Sequence, residues 1–503
     1  MFDYHEATKH AAEKIQRSAH FLDWANMPHP FRHYEGVPVL DLPAGAPPQA
    51  NMIEVLRGAP GRPAAADGAE FLSQLLFHSA AISATKVARP SGYRYALRVN
   101  PSSGNLHPTE FHFAAQGMKA WPDGLYHYRV SSHMAEQRAA GSWMPDVLAC
   151  VDAPWLEQYQ LVFVLTTIAW REAWKYRSRA YRYCLHDLGH AWESLALAAR
   201  ACGAEARAVG HFADDDLADL LHLEDEWPLL LVSVRGDAIP HERRWGRRRE
   251  WLGGTPNRLS GATVEFPLIA QAHAASKLTR PLGRLARPSP RPESAAGDLL
   301  LHCAAQSPDS FAEAVRRRRS ALDFRGGVEK IGAHQLGVMI EAGMRPHQAD
   351  FEGDLFGHLS ARYIHLYLFV HRVNGIAPGL YRCRTESGTL ELLREGDQRV
   401  AAAGLSLGQE LAGNSCVTFS MIADLERAFG DHGNRGYRYA FFEAGAIGQR
   451  FYLAAEAMGF QSTGIGAFYD DEVHRYLGIK PAEGQVVYHF ASGYAVADDR
   501  LEG

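Results

Sequence analysis

The sequence predicts an α+β protein that contains the same domain twice. Two observations carry this prediction: a gapless internal repeat, and the same succession of strands and one long helix in each half. With 503 residues, the chain is also too long for one domain of ordinary size. Its 47% apolar and 22% charged residues are typical of a globular protein.

The repeat is clearest around one long helix. Residues 181–221 align without a gap to residues 437–477, with 14 identities in 41 positions, and the identities include three pairs of glycines and a pair of Asp-Asp dipeptides. Upstream, GLYHYR at 124–129 matches GLYRCR at 379–384. Each copy therefore covers most of its half of the chain.

Each copy is predicted to begin with a helical part and to continue with the same elements. In order, these are a strand (111–116; 364–370), a hairpin at GLYHY or GLYRC, a long helix (182–201; 438–457) and a last strand (229–234; 486–492). The long helices are apolar nearly all round, which predicts burial, and Gly445 and Gly448 are expected to let another backbone approach closely.

A connector separates the copies. Residues 278–298 are rich in proline, arginine and small residues, as a linker is. The sequence thus predicts an N-terminal domain at 1–277 and a C-terminal domain at 299–503.

Composition excludes several classes of protein. The net charge of −5 and the pI near 6.6 argue against nucleic-acid binding, although arginines cluster at 243–249 and 316–319. Six cysteines without a CxxC pair fit a reducing cytoplasm rather than a disulfide framework. Neither a signal-peptide layout nor an apolar run of about 20 residues is seen, so we expect a cytoplasmic protein without membrane insertion.

Four segments carry residues suited to chemistry. VRRRRSALDF (315–324) offers guanidinium groups and a hydroxyl for a phosphate, and RVNPSSGNLHPTEF (98–111) offers small donors to a flat polar ligand. STGIGAFYDDEV (462–473) has glycines that turn amides to a ligand, with Asp470 expected to cap the next helix. AWKYRSRAYRY (173–183) holds a Lys-Tyr pair suited to proton transfer if its pKa values are lowered.

Each segment also has a simpler interpretation. The arginine run fits a solvated helix end, the two turns fit ordinary loops, and the Lys-Tyr pair fits a surface lysine beside a half-buried tyrosine. His186 and His190, four residues apart, are interpreted as ordinary helix histidines, because no HExxH motif or third ligand accompanies them. No metal is expected.

Taken together, the segments resemble a known family. RRSALDF looks like the R-x-S-x-[RK]-x-F signature of the nitroreductase superfamily, and PSSGNLHP looks like its P-S-S-x-N-x-Q-P segment. The stretches that follow Trp174 and Arg435 are similar to the SagB-type azoline-dehydrogenase branch. The resemblance implies two fused domains, each a central antiparallel-type sheet flanked by helices, that form an internal pseudo-dimer with FMN at the interface.

The resemblance also implies which residues hold the cofactor. The second copy supplies Arg318, Arg319, Ser320, Gly464, Ile465 and Gly466, and the first supplies Pro101, Ser102, Ser103 and Asn105, with Arg98 as a substitute for a C-terminal basic residue. Leu322 and Leu106-His107 depart from the family pattern. The converse segments, at 75–86, 207–212 and 343–360, lack the motifs, which predicts one FMN per chain.

By the same resemblance, Lys175 and Tyr176 are the expected catalytic residues of an FMN-dependent dehydrogenase. It would oxidise an azoline-like ring, or a related C–N or C–C bond, in a small molecule or modified peptide, with hydride transfer to flavin N5 and reoxidation by dioxygen. The alternatives are an NAD(P)H-dependent nitro or quinone reductase, and a non-catalytic flavin-binding or scaffold protein. The expected assembly is a monomer with an internal pseudo-dimer, or a homodimer.

Overall fold

The computed structural model describes residues 1–16, 21–89, 91–153, 156, 159–242, 249–281, 299–300, 307–352, 363–385 and 387–502. Most of the predicted linker (278–298) and of the arginine cluster at 243–249 lies outside these residues. The domain boundaries at 277 and 299 therefore stay a prediction. We call the residues before the linker the first half and those after it the second half.

The first half alternates short helices with strands. Its helices are α1 (Phe2–Ala7), α2 (Ala12–Gln16), α3 (Met52–Leu56), α4 (Gly68–Phe77), α5 (Met144–Ala149), α6 (Ala169–Tyr176), α7 (Ala180–Ala201), α8 (Asp214–Leu220) and α9 (Pro267–Ala275). Its strands are β1 (Tyr34–Glu35), β2 (Val39–Asp41), β3 (Ile82–Ala88), β4 (Tyr93–Arg98), β5 (Thr109–Ala115), β6 (Gly124–Arg129), β7 (Met134–Ala140), β8 (Leu161–Thr167), β9 (Glu205–Val209), β10 (Trp227–Arg235), β11 (Glu250–Trp251) and β12 (Thr255–Pro256).

The second half repeats this succession. Its helices are α10 (Phe311–Arg317), α11 (Ala333–Met344), α12 (Arg399–Leu405), α13 (Glu410–Asn414), α14 (Leu425–His432), α15 (Gly436–Ala457) and α16 (Asp470–Leu477). Its strands are β13 (Leu299–Leu300), β14 (Ile331–Gly332), β15 (Ile364–Val370), β16 (Val373–Asn374), β17 (Gly379–Arg384), β18 (Thr389–Glu395), β19 (Val417–Ala423), β20 (Gln461–Ile465) and β21 (Gln485–Gly493), followed by β22 (Leu501–Glu502).

Each half builds one large antiparallel sheet. The strand order is β11-β7-β6-β5-β8-β10-β9 in the first half, with β2 also on β7, and β13-β18-β17-β15-β19-β21-β20 in the second. Strands that match in sequence occupy the same place in both orders. The strands are rich in apolar and β-branched residues, and most of their side chains are buried. The predicted fold class is confirmed.

The predicted helical N-terminal part is only partly correct. Helix α4 ends at Phe77, and the chain then forms a hairpin of β3 and β4, which β22 from the other end of the chain extends. The β-branched residues of β3, such as Ile82, Thr85 and Val87, favour strand over helix. Through the pairing of β22 with β3, the C-terminal end of the second half contacts the first half.

The two longest helices, α7 and α15, pack against each other where two glycines meet. A Cβ atom on Gly445 would lie 2.2 Å from the carbonyl oxygen of His186 and 3.0 Å from the Cα of Gly189, so only glycine fits there. The expected backbone contact at Gly445 is confirmed. At Gly448 the close neighbour is instead the imidazole of His190, at 2.8 Å from an added Cβ, so the expectation of backbone contact there was wrong.

Two buried Asp-Arg clusters tie the halves together with near two-fold symmetry. The aspartate that begins α8 or α16 binds two arginines at the start of the other half's long helix: Asp470 with Arg179 (3.1 Å) and Arg182 (2.8 Å), and Asp214 with Arg435 (2.5 Å) and Arg438 (2.7 Å). Burial alone would raise the pKa of Asp470, but the two guanidinium groups hold it well below its usual range. The expectation that Asp470 caps α16 was wrong, because its carboxylate is used in this cluster.

Candidate functional site

The turn PSSGN lies at the start of β5 and is held by a carboxylate of α7. The Ser102 hydroxyl donates to Asp187 (2.6 Å), and the Ser103 N–H (3.0 Å) and hydroxyl (2.8 Å) donate to the same group. Asn105 has a positive φ of 59°, and its amide donates to the Ala96 carbonyl (3.0 Å). Pro101 is buried. The polar side chains of this turn therefore fix its shape through contacts within the protein.

The segment RRSALDF crosses from the second half to the end of β4 in the first half. Arg318 is 3% exposed and donates through Nε to the Val99 carbonyl (3.1 Å) and through Nη2 to the Arg98 carbonyl (3.2 Å). Its Nη1 bonds no atom of the described residues. Burial lowers the pKa of Arg318, since none of these hydrogen-bond partners is a carboxylate.

The neighbours of Arg318 diverge in direction. Arg319 donates to the hydroxyl (3.2 Å) and carbonyl (3.0 Å) of Ser83 in β3, and burial lowers its pKa to about 10. Ser320 bonds the hydroxyl of Tyr452 (2.8 Å) and lies alongside Ser462 at the edge of β20. Ser320 and Arg318 thus both contact Tyr452: Ser320 bonds its hydroxyl, and the Arg318 guanidinium lies 5.0 Å from the centroid of its ring. Arg319 instead bonds Ser83 of β3.

The glycine loop follows the edge strand β20. The Gly464 N–H donates to the Tyr452 hydroxyl (3.0 Å), and the Gly466 carbonyl accepts from the Tyr183 hydroxyl (3.0 Å) of the first half. An added Cβ would lie 2.0 Å from the Tyr488 hydroxyl at Gly464 and 2.1 Å from the Tyr183 ring at Gly466. The side chain of Ile465 packs in the core of the second half, so it contributes to a site only through its backbone.

Lys175 and Tyr176 end helix α6 and lie against the PSSGN turn. A Cβ added to Gly104 would lie 2.8 Å from the Tyr176 hydroxyl and 3.1 Å from Lys175 Nζ. The Tyr176 ring packs on Tyr183, with centroids 4.3 Å apart, so it connects the turn to the glycine loop. Burial raises the pKa of Tyr176 well above its usual range, and nearby Glu172 raises it further. The condition of a lowered pKa is therefore not met for Tyr176, which holds its proton at neutral pH.

Arg98 adds positive charge beneath the same turn. It is 1% exposed, donates to the Pro30 carbonyl (2.6 Å) and lies over the Phe31 ring at 5.3 Å. Burial lowers the pKa of Arg98 to about 10, and its Nε and Nη1 bond no atom of the described residues. Burial also lowers the pKa of His107, and the charges of Arg98 and Arg318 add to that effect. This region is electropositive and retains unused N–H donors.

The pseudo-symmetric converse site is closed by the chain itself. Residues 348–350 run along the edge strand β9, where Ala208 N–H donates to the Gln348 carbonyl (2.8 Å). The Asp350 carboxylate accepts the N–H groups of Gly210 (2.7 Å) and His211 (3.2 Å), the counterparts of Gly466 and Ala467. In addition, the Phe351 ring stacks on Tyr439, the counterpart of Tyr183, at 4.1 Å. Residues 353–360, which belong to the expected counterpart of PSSGN, lie outside the described residues.

Other features lie apart from this constellation. A groove of about 610 Å³ on another face of α6 is lined by residues such as Trp170, Asp225 and Phe266, and none of the predicted site residues lines it. His190 bonds Tyr488 (3.2 Å) and Gln449 (3.3 Å), and His186 stacks on Tyr488. Across the described part of the chain, no helix is long and apolar enough to cross a membrane.

Sequence reasoning missed several residues of this region. Asp187, which holds the PSSGN turn, aligns with Glu443, so an acid shared by both copies was the available signal. Tyr183 is identical to Tyr439 in the repeat, which also marked it. Tyr452 carries no such signal. Its counterpart in the repeat is Ala196, and nothing in the local sequence distinguishes Tyr452 from a core residue.

Fold and site together define an α+β protein of two pseudo-equivalent halves, with donor groups from both halves gathered at one face of their interface. The model of the nitroreductase family matches residues 70–237 and 383–494, more than half of the chain. The chain belongs to this family, and it is a nitroreductase-family oxidoreductase.

Individual relatives agree with this assignment. A putative nitroreductase of Methanocaldococcus jannaschii is 29% identical over 117 residues, 23% of this chain and 59% of that protein. The trifolitoxin operon protein TfxC of Rhizobium leguminosarum bv. trifolii is 27% identical over 103 residues, 20% of this chain and 29% of that protein. These matches thus span less than two thirds of either relative.

A solved structure matches the full architecture. The crystal structure of a putative nitroreductase from Anabaena variabilis aligns over 98% of this chain and 99% of its own, with a TM-score of 0.77 and 24% identity. At this identity the likeness shows the fold, including its two-half arrangement, and leaves the chemistry to the site residues.

Proposed function

We propose that the protein is an FMN-dependent dehydrogenase with one flavin site per chain, formed by the PSSGN turn of the first half and the RRS and glycine-loop segments of the second. Its substrate is an azoline-like ring in a small molecule or modified peptide. Lys175 and Tyr176 carry the acid-base chemistry. The resemblance of the site segments to SagB-type dehydrogenases supports this reaction class.

One observation carries the proposal of a single composite site. Arg318 of the second half reaches the carbonyls of Arg98 and Val99, directly before PSSGN, while Lys175 and Tyr176 close on Gly104 of that turn. At the converse position Asp350 occupies the loop amides instead. Since a carboxylate and a flavin phosphate or ring cannot use the same donors, the converse position is a poor flavin site.

The donor set fits the phosphate of FMN. Arg318 is a buried cation whose hydrogen-bond partners are neutral carbonyls, and one of its N–H groups has no partner among the described residues. Ser320 adds a hydroxyl, since Ser320 and Arg318 both contact Tyr452. An anion bound by Arg318 would restore the interactions that burial removes, because guanidinium–phosphate bonds are charge-assisted.

The Lys-Tyr pair suits the proton part of a dehydrogenation. Such a reaction removes a hydride and a proton from the ring, and bound FMN supplies the hydride-accepting chemistry. Tyr176 retains its own proton, since burial raises its pKa, and therefore donates a hydrogen bond to the substrate. Lys175, whose Nζ lies at the same turn, is the group that accepts the substrate proton in this proposal.

The substrate class is supported by one curated relative. TfxC is a protein of the trifolitoxin operon, so its gene lies in an operon named after a toxin. A biosynthetic substrate such as a modified peptide agrees with this context better than general quinone reduction does.

The test is flavin content per chain. The purified protein should carry about one FMN, measured by absorbance after release from the protein. The double variants Ser102→Ala/Asn105→Ala and Arg318→Ala/Ser320→Ala should each lose it. Arg317→Ala is the matched control, because Arg317 belongs to the same run but is half exposed and pairs with Glu456 (2.6 Å). Two flavins per chain, or none, would contradict the proposed site.

The reaction class needs a separate test. We expect NADPH alone to bleach the bound flavin slowly, and a peptide containing thiazoline or oxazoline rings to bleach it faster. Lys175→Met should abolish bleaching by the peptide while the flavin is retained. Rapid bleaching by NADPH and none by azolines would instead assign the protein as a nitro or quinone reductase.

A further inference from the structure

A buried carboxyl group, that of Glu172, lies on the same helix as Lys175 and Tyr176. Glu172 lies on α6, four residues before Tyr176 and three before Lys175, so the three side chains share one side of the helix. Glu172 is fully buried beside Asp187 and Ser102, and neither of its carboxyl oxygens makes a hydrogen bond of normal geometry within the described structure. An ionised carboxylate in that position would lack the donors that ordinarily compensate burial.

The other carboxyl group of this pocket, Asp187, is supplied with donors. It accepts hydrogen bonds from the Ser102 hydroxyl and from the N–H and hydroxyl of Ser103. Two carboxyl groups close together in a dry pocket do not both ionise, and the proton stays on the group with fewer donors. By this criterion the charge belongs on Asp187 and the proton on Glu172.

The electrostatics of the surrounding groups agree with this assignment. Burial raises the pKa of Glu172 well above its usual range, the Asp187 charge raises it further, and Lys175 opposes both. Burial also raises the pKa of Asp187, to about 6, against the effect of its serine donors. Cys184 of α7 and Tyr176 are further titratable neighbours of Glu172. Burial raises the pKa of both, so they stay neutral.

The repeat shows that Glu172 is specific to the half that carries the Lys-Tyr pair. Helix α14 is the counterpart of α6 at an offset of 256 residues, and it has Ala428 at this position. Asp187, in contrast, has an acidic counterpart: Glu443 accepts the N–H groups of Tyr363 (2.9 Å) and Ile364 (3.3 Å). Holding the chain that enters the sheet is therefore a shared structural task, and Glu172 is an addition to it.

We propose that Glu172 is a neutral carboxylic acid in the resting protein and acts as a positioning residue: it leaves the pocket's negative charge on Asp187, which holds the PSSGN turn that Lys175 and Tyr176 contact. This role rests on the proposed function of the Lys-Tyr pair. An ionised Glu172 would repel the Asp187 carboxylate and weaken its hold on the serines of the PSSGN turn. Ionisation of Glu172 at alkaline pH is therefore expected to loosen this turn and to slow the reaction.

The protonation state can be measured without flavin or substrate. Infrared spectra of protein labelled with ¹³C-glutamate should show a protonated carboxyl band near neutral pH, and Glu172→Gln should remove it. Glu456→Gln is the matched control and should leave the band, because Glu456 is an ion-pair partner of Arg317. Asp187→Asn should lower the pH at which the band titrates by about one unit or more, since it removes the neighbouring charge. A band absent near neutral pH, or unchanged in Glu172→Gln, would overturn the proposal.

A kinetic test then addresses the link to the PSSGN turn. In the flavin-loaded protein, the rate of flavin bleaching by an azoline peptide should fall at alkaline pH, and Glu172→Gln should move that fall by about one pH unit or more. A pH profile identical in both proteins would show that Glu172 serves packing only. If the protein retains no flavin but the infrared band behaves as expected, the proposed function fails and the protonation state of Glu172 stands. If the flavin is retained but the band is absent, the protonation state fails and the flavin site stands.

Discussion

Replacing Asp470 by asparagine tests the buried Asp-Arg cluster that joins the second half to the first. The change keeps the shape of the side chain and removes the charge that pairs with Arg179 and Arg182. All three side chains are at most 5% exposed, so two guanidinium groups would remain buried without a carboxylate. Breaking a buried ion pair of this kind costs about 3–5 kcal/mol.

The next residue provides the control. Asp471 pairs with Lys9 at 2.9 Å, but its side chain is 63% exposed. Asp471→Asn should therefore change the free energy of unfolding by about 0–1 kcal/mol. The assay is urea denaturation of both variants and the parent, followed by fluorescence, with comparison of the transition midpoints. A loss in Asp470→Asn no larger than in the control would refute the view that this buried cluster stabilises the interface.

The pH dependence supplies a second check. The pKa of Asp470 is lowered in the folded protein, so its stabilisation is fully present above the unfolded value of about 3.9 and is lost as the pH falls toward the folded value. The difference between parent and variant should hence shrink below about pH 4. Because Arg179 also donates to the Gly466 carbonyl (3.3 Å), Asp470→Asn should weaken flavin retention as well.

Three further changes test local features. Arg177, directly after the Lys-Tyr pair, has φ 51° and ψ −138°, and its counterpart Gly433 has φ 57° and ψ −150°. Glycine adopts these angles without the strain that a side chain causes, so Arg177→Gly should raise the free energy of unfolding by about 1–2 kcal/mol, measured by urea denaturation. Gly445→Ala should lower it by about 1–3 kcal/mol through the contact with α7, while Gly404→Ala, on an exposed helical site with open space, should not lower it. Tyr452→Phe removes the hydroxyl that bridges Ser320 and Gly464, and it should weaken FMN binding about fivefold in equilibrium dialysis.

The fold could be predicted from sequence because its main signals are periodic and repeated. The strands before and after each long helix, and the glycine at the helix crossing, follow from apolar patterns that both copies share. The β3–β4 hairpin was missed because no counterpart in the second copy pointed to it, and its third strand comes from the distant end of the chain. Pairing over such sequence distances leaves no local pattern.

The candidate site could be proposed from sequence only where short motifs mark it. PSSGN, RRS and the glycine loop are recognisable. In the structure Ser320 and Gly464 bond the Tyr452 hydroxyl, and Arg318 lies over the ring of the same tyrosine. Asp470 was misjudged because an acid at a helix start is normally read as a cap, whereas its actual partners lie 288 and 291 residues away in sequence. The proton state of Tyr176 and Glu172 depends on burial, which the sequence alone does not specify.

Fusion of the two halves explains why the interface can carry one site rather than two. In a symmetric dimer, every substitution appears at both equivalent sites, so neither can be lost without the other. In a tandem chain the halves vary separately, and here the loop amides of Gly210 and His211 are bound by Asp350, while Gly464 and Gly466 contact tyrosine hydroxyls. Glu172, Lys175 and Tyr176 belong to the half that also supplies PSSGN, so the proposed acid-base groups lie on the same half as the turn that they contact.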